Sequence, residues 1–360
     1  VGNFARKPAY HFGWDWGPRY VTAGVWRGVD LQAWDTHRLT DLAVRTDALD
    51  AQQARLAVLL QVEQGSAAGS ARVDVEVRDP DGRVVATVQR PVLLQPGQNS
   101  VEIPVELADP RRWWPVGQGA QDRYTVRAQL GAGGDPTLQR EQRIGLRTVE
   151  LRREKDEKGG QGFAFVINGV ETFAKGANVI PFDAFPARVD VARLRQVLTA
   201  ARDANMNMLR NWGGGYYEDD AFFDIADELG LLVWQDFMFG GGMQPGYVAA
   251  FRDSVVAEAR DNVRRLRHHP SIVLWCGNNE EETAWKDWGH GRDLKAADPA
   301  FAARVWQGYV DLFGNDLRQV VGEEGLGVPY WSSSPSNDLD EKANDSTRGD
   351  KHYWQVWGNP

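Results

Sequence analysis

Ser271 to Trp285 reads SIVLWCGNNEEETAW. Ser271 to Cys276 is a short, nearly continuous apolar run, held between Pro270 and Gly277. Such a run is a strand buried on both faces, as in parallel sheets. Two amides and three carboxylates follow at once: Asn278, Asn279, Glu280, Glu281 and Glu282. A buried strand that ends this way carries polar chemistry to one edge of a sheet.

The same grammar extends on both sides. "FAFVINGVETFAKGANVIP" is strand-rich, and "DVARLRQVLTAARDAN" is a helix with Leu194, Val197, Leu198 and Ala201 on one face. "MNMLRNWGGG" is a strand running into a glycine loop, and "DDAFFDIADELG" is a helix with an acidic first turn and a glycine stop. "LLVWQDF" and "VPYWSSSP" are strands, "YVAAFRDSVVAEARDNVRRLRHH" and "FAARVWQGYVDLFGNDLRQVV" are helices, and "GDKHYWQVW" is a loop or short strand. Alternation of this kind predicts a parallel sheet covered by helices. Its strands end in Arg210 with Trp212, Gln235 with Asp236, Asn279 with Glu280, and Ser332 to Ser334. In a (β/α)8 barrel such ends form the active face. A doubly wound open sheet is the rival, but it normally offers a GxGxxG loop after its first strand. "NWGGGYY" lacks that spacing and follows the second strand. About six strands are readable rather than the eight of a full barrel, so both ends of the sequence read as cut.

Upstream, residues 37–150 are short alternating strands divided by turn signals, including "DPDG" from Asp79 to Gly82. They predict an antiparallel sandwich. Residues 1–36 are aromatic, glycine-rich and strand-like, too short for a domain, and read as the last strands of a β-domain. The opening "VGNFARKPAYHF" is no signal peptide.

Fifty acidic against 41 basic residues give a net charge of −9, which disfavours nucleic acid or an anionic membrane as partner. The basic stretch "DNVRRLRHHP" closes a helix whose C-terminal end favours cations. No apolar run is long enough to span a bilayer. The one cysteine, Cys276, excludes intrachain disulfides and cysteine-built metal sites, and reads as a small buried residue. Fifteen tryptophans are unusual, and several are paired beside Gly, Asp or Asn, as Trp14 and Trp16 are. A tryptophan face suits the C–H face of a sugar. Core packing is the other use for such rings.

On the residues alone, Glu280 has two readings. A partly buried glutamate at a sheet mouth can be a general acid, with neighbouring amides holding sugar hydroxyls. A solvated first helical turn also favours acids, and Glu281 and Glu282 are assigned that role.

Eight segments in order, "HFGWDWGPR", "RRWWPVGQG", "GLRTVEL", "FVINGVETFAKGANVIP", "MNMLRNWGGGYYE", "LLVWQDFMFG", "HHPSIVLWCGNNEEE" and "HYWQVW", cover nearly the whole chain. Together they resemble the β-mannosidase branch of glycoside hydrolase family 2, and "WDWGPR" with "GNNE" and "RNWGGG" is specific to that branch. The resemblance implies a retaining exo-acting enzyme that removes terminal non-reducing β-D-mannose by a two-carboxylate mechanism, with no cofactor and no metal. Residues 1–36 would end a jelly-roll domain, 37–150 would be an immunoglobulin-like sandwich, and 151–360 a truncated (β/α)8 barrel. Glu280 would be general acid and base, with Asn279 on the 2-hydroxyl of the sugar. Trp14, Asp15 and Trp16 would close the pocket, Arg210 and Trp212 would line its floor, and Trp288 would stand on the leaving-group side. His352 and Trp354 resemble the pocket rim.

The "RNWGGG" segment also reads as strand-to-helix punctuation, and the tryptophan pair as an interface plug. For Asp15, sugar hydroxyls would offset the cost of an otherwise unpaired buried aspartate. The family's nucleophile is a glutamate downstream of "HYWQVW", and the sequence stops at Pro360 before any such residue. The expectation is therefore very low turnover for this polypeptide. Asp236 reads as a strand-end support, and Glu323 and Glu324 as a solvated helix end. A galactosidase, glucuronidase or exo-glucosaminidase of the same family, or a carbohydrate-binding protein without catalysis, are the alternatives. Linkage preference, oligomeric state and compartment stay open.

Overall fold

The computed structural model describes residues 2–131, 135–340 and 342–357. These fall into two compact units, one of Val25–Thr148 with Leu266–Pro270, the other of the residues up to Gly24, Val149–Arg265, and those from Ser271 onward.

The first unit is a sandwich of two antiparallel sheets. Its strands are β1 (His37–Leu49), β2 (Gln53–Gln64), β3 (Gly69–Arg78), β4 (Val84–Leu94), β5 (Gly97–Ala108), β6 (Tyr124–Leu130) and β7 (Gln139–Ile144). One sheet runs β1-β2-β5 and the other β4-β3-β6-β7. The period-two alternation visible in the sequence is the burial pattern: Val73, Val75 and Val77 of β3 are buried together with Val58, Leu60 and Val62 of β2. The "DPDG" turn joins β3 to β4 as expected. The Asp79 carboxylate accepts from the amides of Asp81 (2.9 Å) and Arg83 (2.8 Å), and Gly82 takes a φ of +83° that glycine adopts without strain.

Residues 2–36 form no strand, contrary to their strand-like composition. They contain two 3₁₀ turns and an isolated bridge from Trp14 to Gly17. Extended chain becomes a strand only where a neighbour takes up its hydrogen bonds, and the composition does not supply one.

The second unit opens with a three-stranded antiparallel sheet ordered β10-β9-β8, of β8 (Val149–Arg152), β9 (Ala164–Ile167) and β10 (Val170–Thr172). A parallel sheet follows: β11 (Gly176–Val179), β12 (Met208–Asn211), β13 (Leu232–Asp236), β14 (Ile272–Cys276) and β15 (Tyr330–Trp331). Between these strands lie α1 (Val191–Asp203), α2 (Asp220–Leu229), α3 (Ala249–Leu266), α4 (Glu281–Lys286), α5 (His290–Ala297), α6 (Pro299–Tyr309) and α7 (Leu317–Glu324). The glycine stop of α2 is used as read. Asp190 caps α1 by accepting from the Arg193 amide at 2.7 Å, and Gly230 ends α2 in the left-handed conformation. Leu194 and Leu198 bury the inner face of α1.

The five parallel strands lie side by side in chain order, β11 to β15. A doubly wound sheet reverses direction at a switch point, and this one does not, so that rival fails. Every residue of β12, β13 and β14 is buried, including the polar residues that end β12 and β13, and burial on both faces explains the apolar texture of the rest. Residues 349–353 form no strand, so of the two readings of this segment the loop holds, and a 3₁₀ helix follows at Trp354–Trp357. Among the described residues no helix is long and apolar enough to cross a membrane.

Candidate active site

The C-terminal ends of β12, β13, β14 and β15 converge in one hydrogen-bonded network. Asn279 extends the parallel alignment beyond β14 through isolated bridges to Gly240 and Ser334. The chain then turns sharply. Glu280 has φ +63° and ψ 5°, a left-handed conformation uncommon for a residue with a side chain. The turn separates Glu280 from the two glutamates that open α4.

Glu280 Oε1 lies 2.8 Å from His352 Nδ1, and Oε2 accepts from Asn279 Nδ2 at 3.2 Å. Asn279 Oδ1 accepts in turn from Arg210 Nη2 at 3.2 Å. Arg210 grips Asp236 twice, through Nε to Oδ1 (3.1 Å) and Nη2 to Oδ2 (2.7 Å). Asp236 accepts two further bonds, from Trp234 Nε1 (3.0 Å) and the Gly213 amide (2.9 Å), and is fully buried as a strand-end support. His352 Nε2 faces Ser334 Oγ at 3.0 Å and Arg210 Nη1 at 3.3 Å. Ser334 Oγ donates to Asp350 Oδ2 at 2.6 Å. Burial raises the Asp350 carboxyl above its ordinary range, opposed by hydrogen bonds from Ser334 and Trp331.

The three consecutive glutamates have three different environments. The side chains of Glu280 and His352 are 21% and 20% exposed. Glu281 and Glu282 are completely buried, which overturns the solvated-helix reading. Glu282 is held by Lys286 Nζ (2.9 Å) and Ser336 Oγ (2.6 Å), and burial raises its pKa against the pull of Lys286. Glu281 Oε1 accepts from Gln244 Nε2 at 2.9 Å, while Oε2 meets no hydrogen-bond partner. Desolvation pushes the Glu281 carboxyl up to about 8, opposed by Gln244 and by the charge of Arg6. The helix start does not solvate these acids because α4 packs its first turn inward. Glu324 departs similarly from the solvated reading: it is buried under Arg260 and Arg264, at 2.6 and 2.7 Å, whereas Glu323 stays on the surface. In the last turn of α3, Arg264 pairs with Glu324 and Arg265 with Asp220.

Two aromatic groups flank this network. Trp212 follows β12 and is buried, with the rings of Trp14 (4.8 Å between centroids) and Trp16 (6.0 Å) meeting it edge to face. The "WGGG" spacing has a steric cause, since a Cβ on Gly214 would lie 1.8 Å from the Trp212 ring. Trp14 also approaches Gly241, in the loop whose Gly240 pairs with Asn279. Asp15 stands at the tip of the Trp14–Gly17 turn and is exposed, so the argument from a buried, unpaired aspartate does not apply. On the other side Trp354 lies 5.7 Å from both His352 and Trp288. The sequence reading missed Asp350, Asn344 and the burial of Glu281. Asn344 clamps the backbone of His352, accepting from its amide (3.1 Å) and donating to its carbonyl (3.0 Å).

Glu280 is thus a partly exposed carboxyl at the sheet edge, in contact with an amide and an imidazole, and a carboxyl so placed can give and take a proton. Residues 37–147 match the family model "Glycosyl hydrolases family 2", and residues 1–27 match "Glycosyl hydrolase 2 galactose-binding domain-like". The chain thus carries a glycosyl hydrolase family 2 domain. It is 37% identical to β-mannosidase B of Thermothelomyces thermophilus and 35% identical to the β-mannosidase of Bos taurus, in each case over 98% of this chain and 40% of the relative. The crystal structure of a β-D-mannosidase from Dictyoglomus thermophilum superposes with a TM-score of 0.87 at 37% identity, over 99% of this chain and 42% of that one. The chain thus spans about 40% of the length of the curated relatives it matches.

Proposed function

We propose that the protein is a retaining exo-β-mannosidase acting on terminal non-reducing β-D-mannose, with Glu280 as general acid and base. Residues 1–36 are read as the end of a jelly-roll domain, 37–150 as an immunoglobulin-like sandwich and 151–360 as part of a (β/α)8 barrel. The run of parallel strands in chain order supports the barrel. One observation carries the catalytic reading: Glu280 is a partly exposed acid at this sheet edge, while Asp236, Glu281 and Glu282 are fully buried.

In the first step Glu280 protonates the bridging oxygen while a second carboxylate attacks the anomeric carbon. In the second step Glu280 takes a proton from the water that hydrolyses the intermediate. Asp236, Glu281 and Glu282 have no free face for the attacking role. Asn279, tethered by Arg210, would hold the sugar 2-hydroxyl. Trp14, Asp15 and Trp16 would cover the mannose against the floor of Arg210 and Trp212, with Trp288 on the side of the leaving group and His352 and Trp354 at the pocket rim. The nearness of Trp14 and Trp16 to Trp212 supports that wall.

The test is a panel of 4-nitrophenyl β-mannoside, β-galactoside, β-glucuronide and β-glucosaminide with the purified full-length protein. Mannoside should be cleaved preferentially, with retention seen by NMR of the first-formed sugar. Glu280→Gln should lower kcat/KM for the mannoside by about 10²–10⁴. Preference for another sugar would reassign the substrate, and an unimpaired Glu280→Gln variant would remove Glu280 from the chemistry.

A further inference from the structure

Asn278 opens the polar run after β14 but is completely buried, so it cannot reach a sugar. Its side chain is nevertheless fully used. Nδ2 donates to Tyr309 Oη and to the Ser332 carbonyl oxygen, each at 3.2 Å. Oδ1 accepts from Ser333 Oγ at 2.7 Å and from the Glu281 amide at 3.2 Å. Two of these partners fix the directions, since a backbone N–H only donates and a carbonyl oxygen only accepts. The amide therefore faces one way, with Oδ1 toward the start of α4 and Nδ2 toward the segment after β15.

The Glu281 amide matters because it follows Glu280. A left-handed conformation crowds Cβ against the following carbonyl oxygen and persists only where the surroundings fix it. Two hydrogen bonds bracket this one. The Glu280 amide donates to the Ser334 carbonyl oxygen at 2.9 Å, and the next amide, that of Glu281, donates to Asn278 Oδ1. Glu280 makes no side-chain cap for α4. Asn278, three residues before Glu281, holds that first helical amide as a capping side chain does.

We propose that Asn278 is a positioning residue for the acid: through the Glu281 amide it holds the left-handed turn that aims the Glu280 carboxyl. The inference rests on the glycosidase reading above. In that reading Glu280 gives its proton to the bridging oxygen, and the bond from that oxygen to the anomeric carbon breaks. The electron pair stays on the oxygen, the alcohol departs, and the second carboxylate bonds the anomeric carbon. Without the Asn278 acceptor the turn relaxes and the Glu280 carboxyl moves out of line for this transfer. Asn279 does not follow, because its amide is held by the Phe239 carbonyl oxygen at 2.9 Å and its side chain by Arg210 at 3.2 Å. The loss therefore falls on proton transfer and not on the grip of the sugar.

The cost of losing Asn278 should then depend on how much the leaving group needs a proton. The experiment compares kcat/KM of the full-length protein on β-1,4-mannobiose, whose leaving group is a sugar hydroxyl, and on 2,4-dinitrophenyl β-mannoside, whose leaving group departs as a stable phenolate. Asn278→Ala removes the acceptor and should lose about 10- to 100-fold on mannobiose and under about threefold on the dinitrophenyl mannoside. Asn278→Ser restores a neutral capping oxygen for the Glu281 amide and should recover most of the mannobiose activity. Tyr309→Phe removes one partner of Nδ2 and should show the same split at about two- to fivefold, which keeps the test open if the alanine variant does not fold. Equal losses on both substrates, an unimpaired alanine variant, or a serine variant as poor as alanine on mannobiose overturns the proposal. A wild-type protein that cleaves neither mannoside overturns the underlying reading instead.

Discussion

Replacing Glu281 by glutamine should stabilise the protein at alkaline pH and leave it unchanged in acid. The carboxyl is fully buried, with one oxygen on Gln244 and the other without a partner. Its pKa rises from 4.5 to about 8 on folding. A raised folded pKa means that the native state binds the proton more tightly than the unfolded chain. The stability linked to this proton is therefore fully present below pH 4.5 and is lost as pH rises toward about 8. The slope is about 1.4 kcal/mol per pH unit, so the ceiling across the window is about 5 kcal/mol. Glutamine keeps an acceptor for Gln244 and carries no charge at any pH. Its buried N–H group stands where the unpartnered O–H of the acid stood, so the two proteins should match near pH 4.5. The assay is thermal unfolding of wild type and Glu281→Gln at pH steps from 5 to 9. At about 2–4 °C per kcal/mol, the variant should pull ahead by several degrees by pH 8. A difference that does not vary with pH, or a variant less stable than wild type at pH 8, would refute the claim that Glu281 is held protonated by burial.

Asp236→Asn removes the charge that balances Arg210 inside the sheet and turns an amide toward at least one of four donors. It should cost about 3–5 kcal/mol in urea unfolding, whereas Asp293→Asn, on an exposed pair with Arg292, should cost less than about 1 kcal/mol. Similar costs for the two would mean that the buried pair is not a structural requirement. Gly176→Ala should destabilise by about 1–3 kcal/mol or more, because its Cβ would fall 1.6 Å from the Met208 carbonyl oxygen across the β11–β12 pair. An alanine variant with an unchanged unfolding midpoint would contradict that packing.

What the sequence made legible was the part governed by local pattern. Apolar runs ending in polar residues gave β12 to β14 and placed Arg210, Asp236 and Asn279 at one edge, because the apolar part of each run fixes the buried strand and the polar residues close it. The alternation from β1 to β7 gave the sandwich for the same reason. The burial of Glu281 and Glu282 was not legible, since an acidic first helical turn has the same sequence whether it faces water or the core. What decides it is the arrival of Gln244 at Glu281 and of Ser336 at Glu282, from 37 and 54 residues away in the chain. Asp15 failed in the opposite direction: flanking glycines and tryptophans suggested burial, while a tight turn puts the residue outside. His352 was found only through its resemblance to a family motif, and nothing near it in sequence indicates that it reaches Glu280, 72 residues away.

The arrangement also explains why an amide stands between the cation and the acid. A carboxyl in direct contact with an unbalanced guanidinium is held ionised and cannot begin a reaction as an acid. Here Arg210 faces Asp236 through two hydrogen bonds, and its charge is balanced there. What reaches Glu280 from that side is the neutral amide of Asn279, oriented because its own oxygen accepts from Arg210. The same arginine orients the imidazole on the other side through Nη1. One buried cation thus fixes both neighbours of the acid without touching it. Asp236, which lies outside the proposed chemistry, is what allows this, and its loss should disturb Asn279 and His352 together.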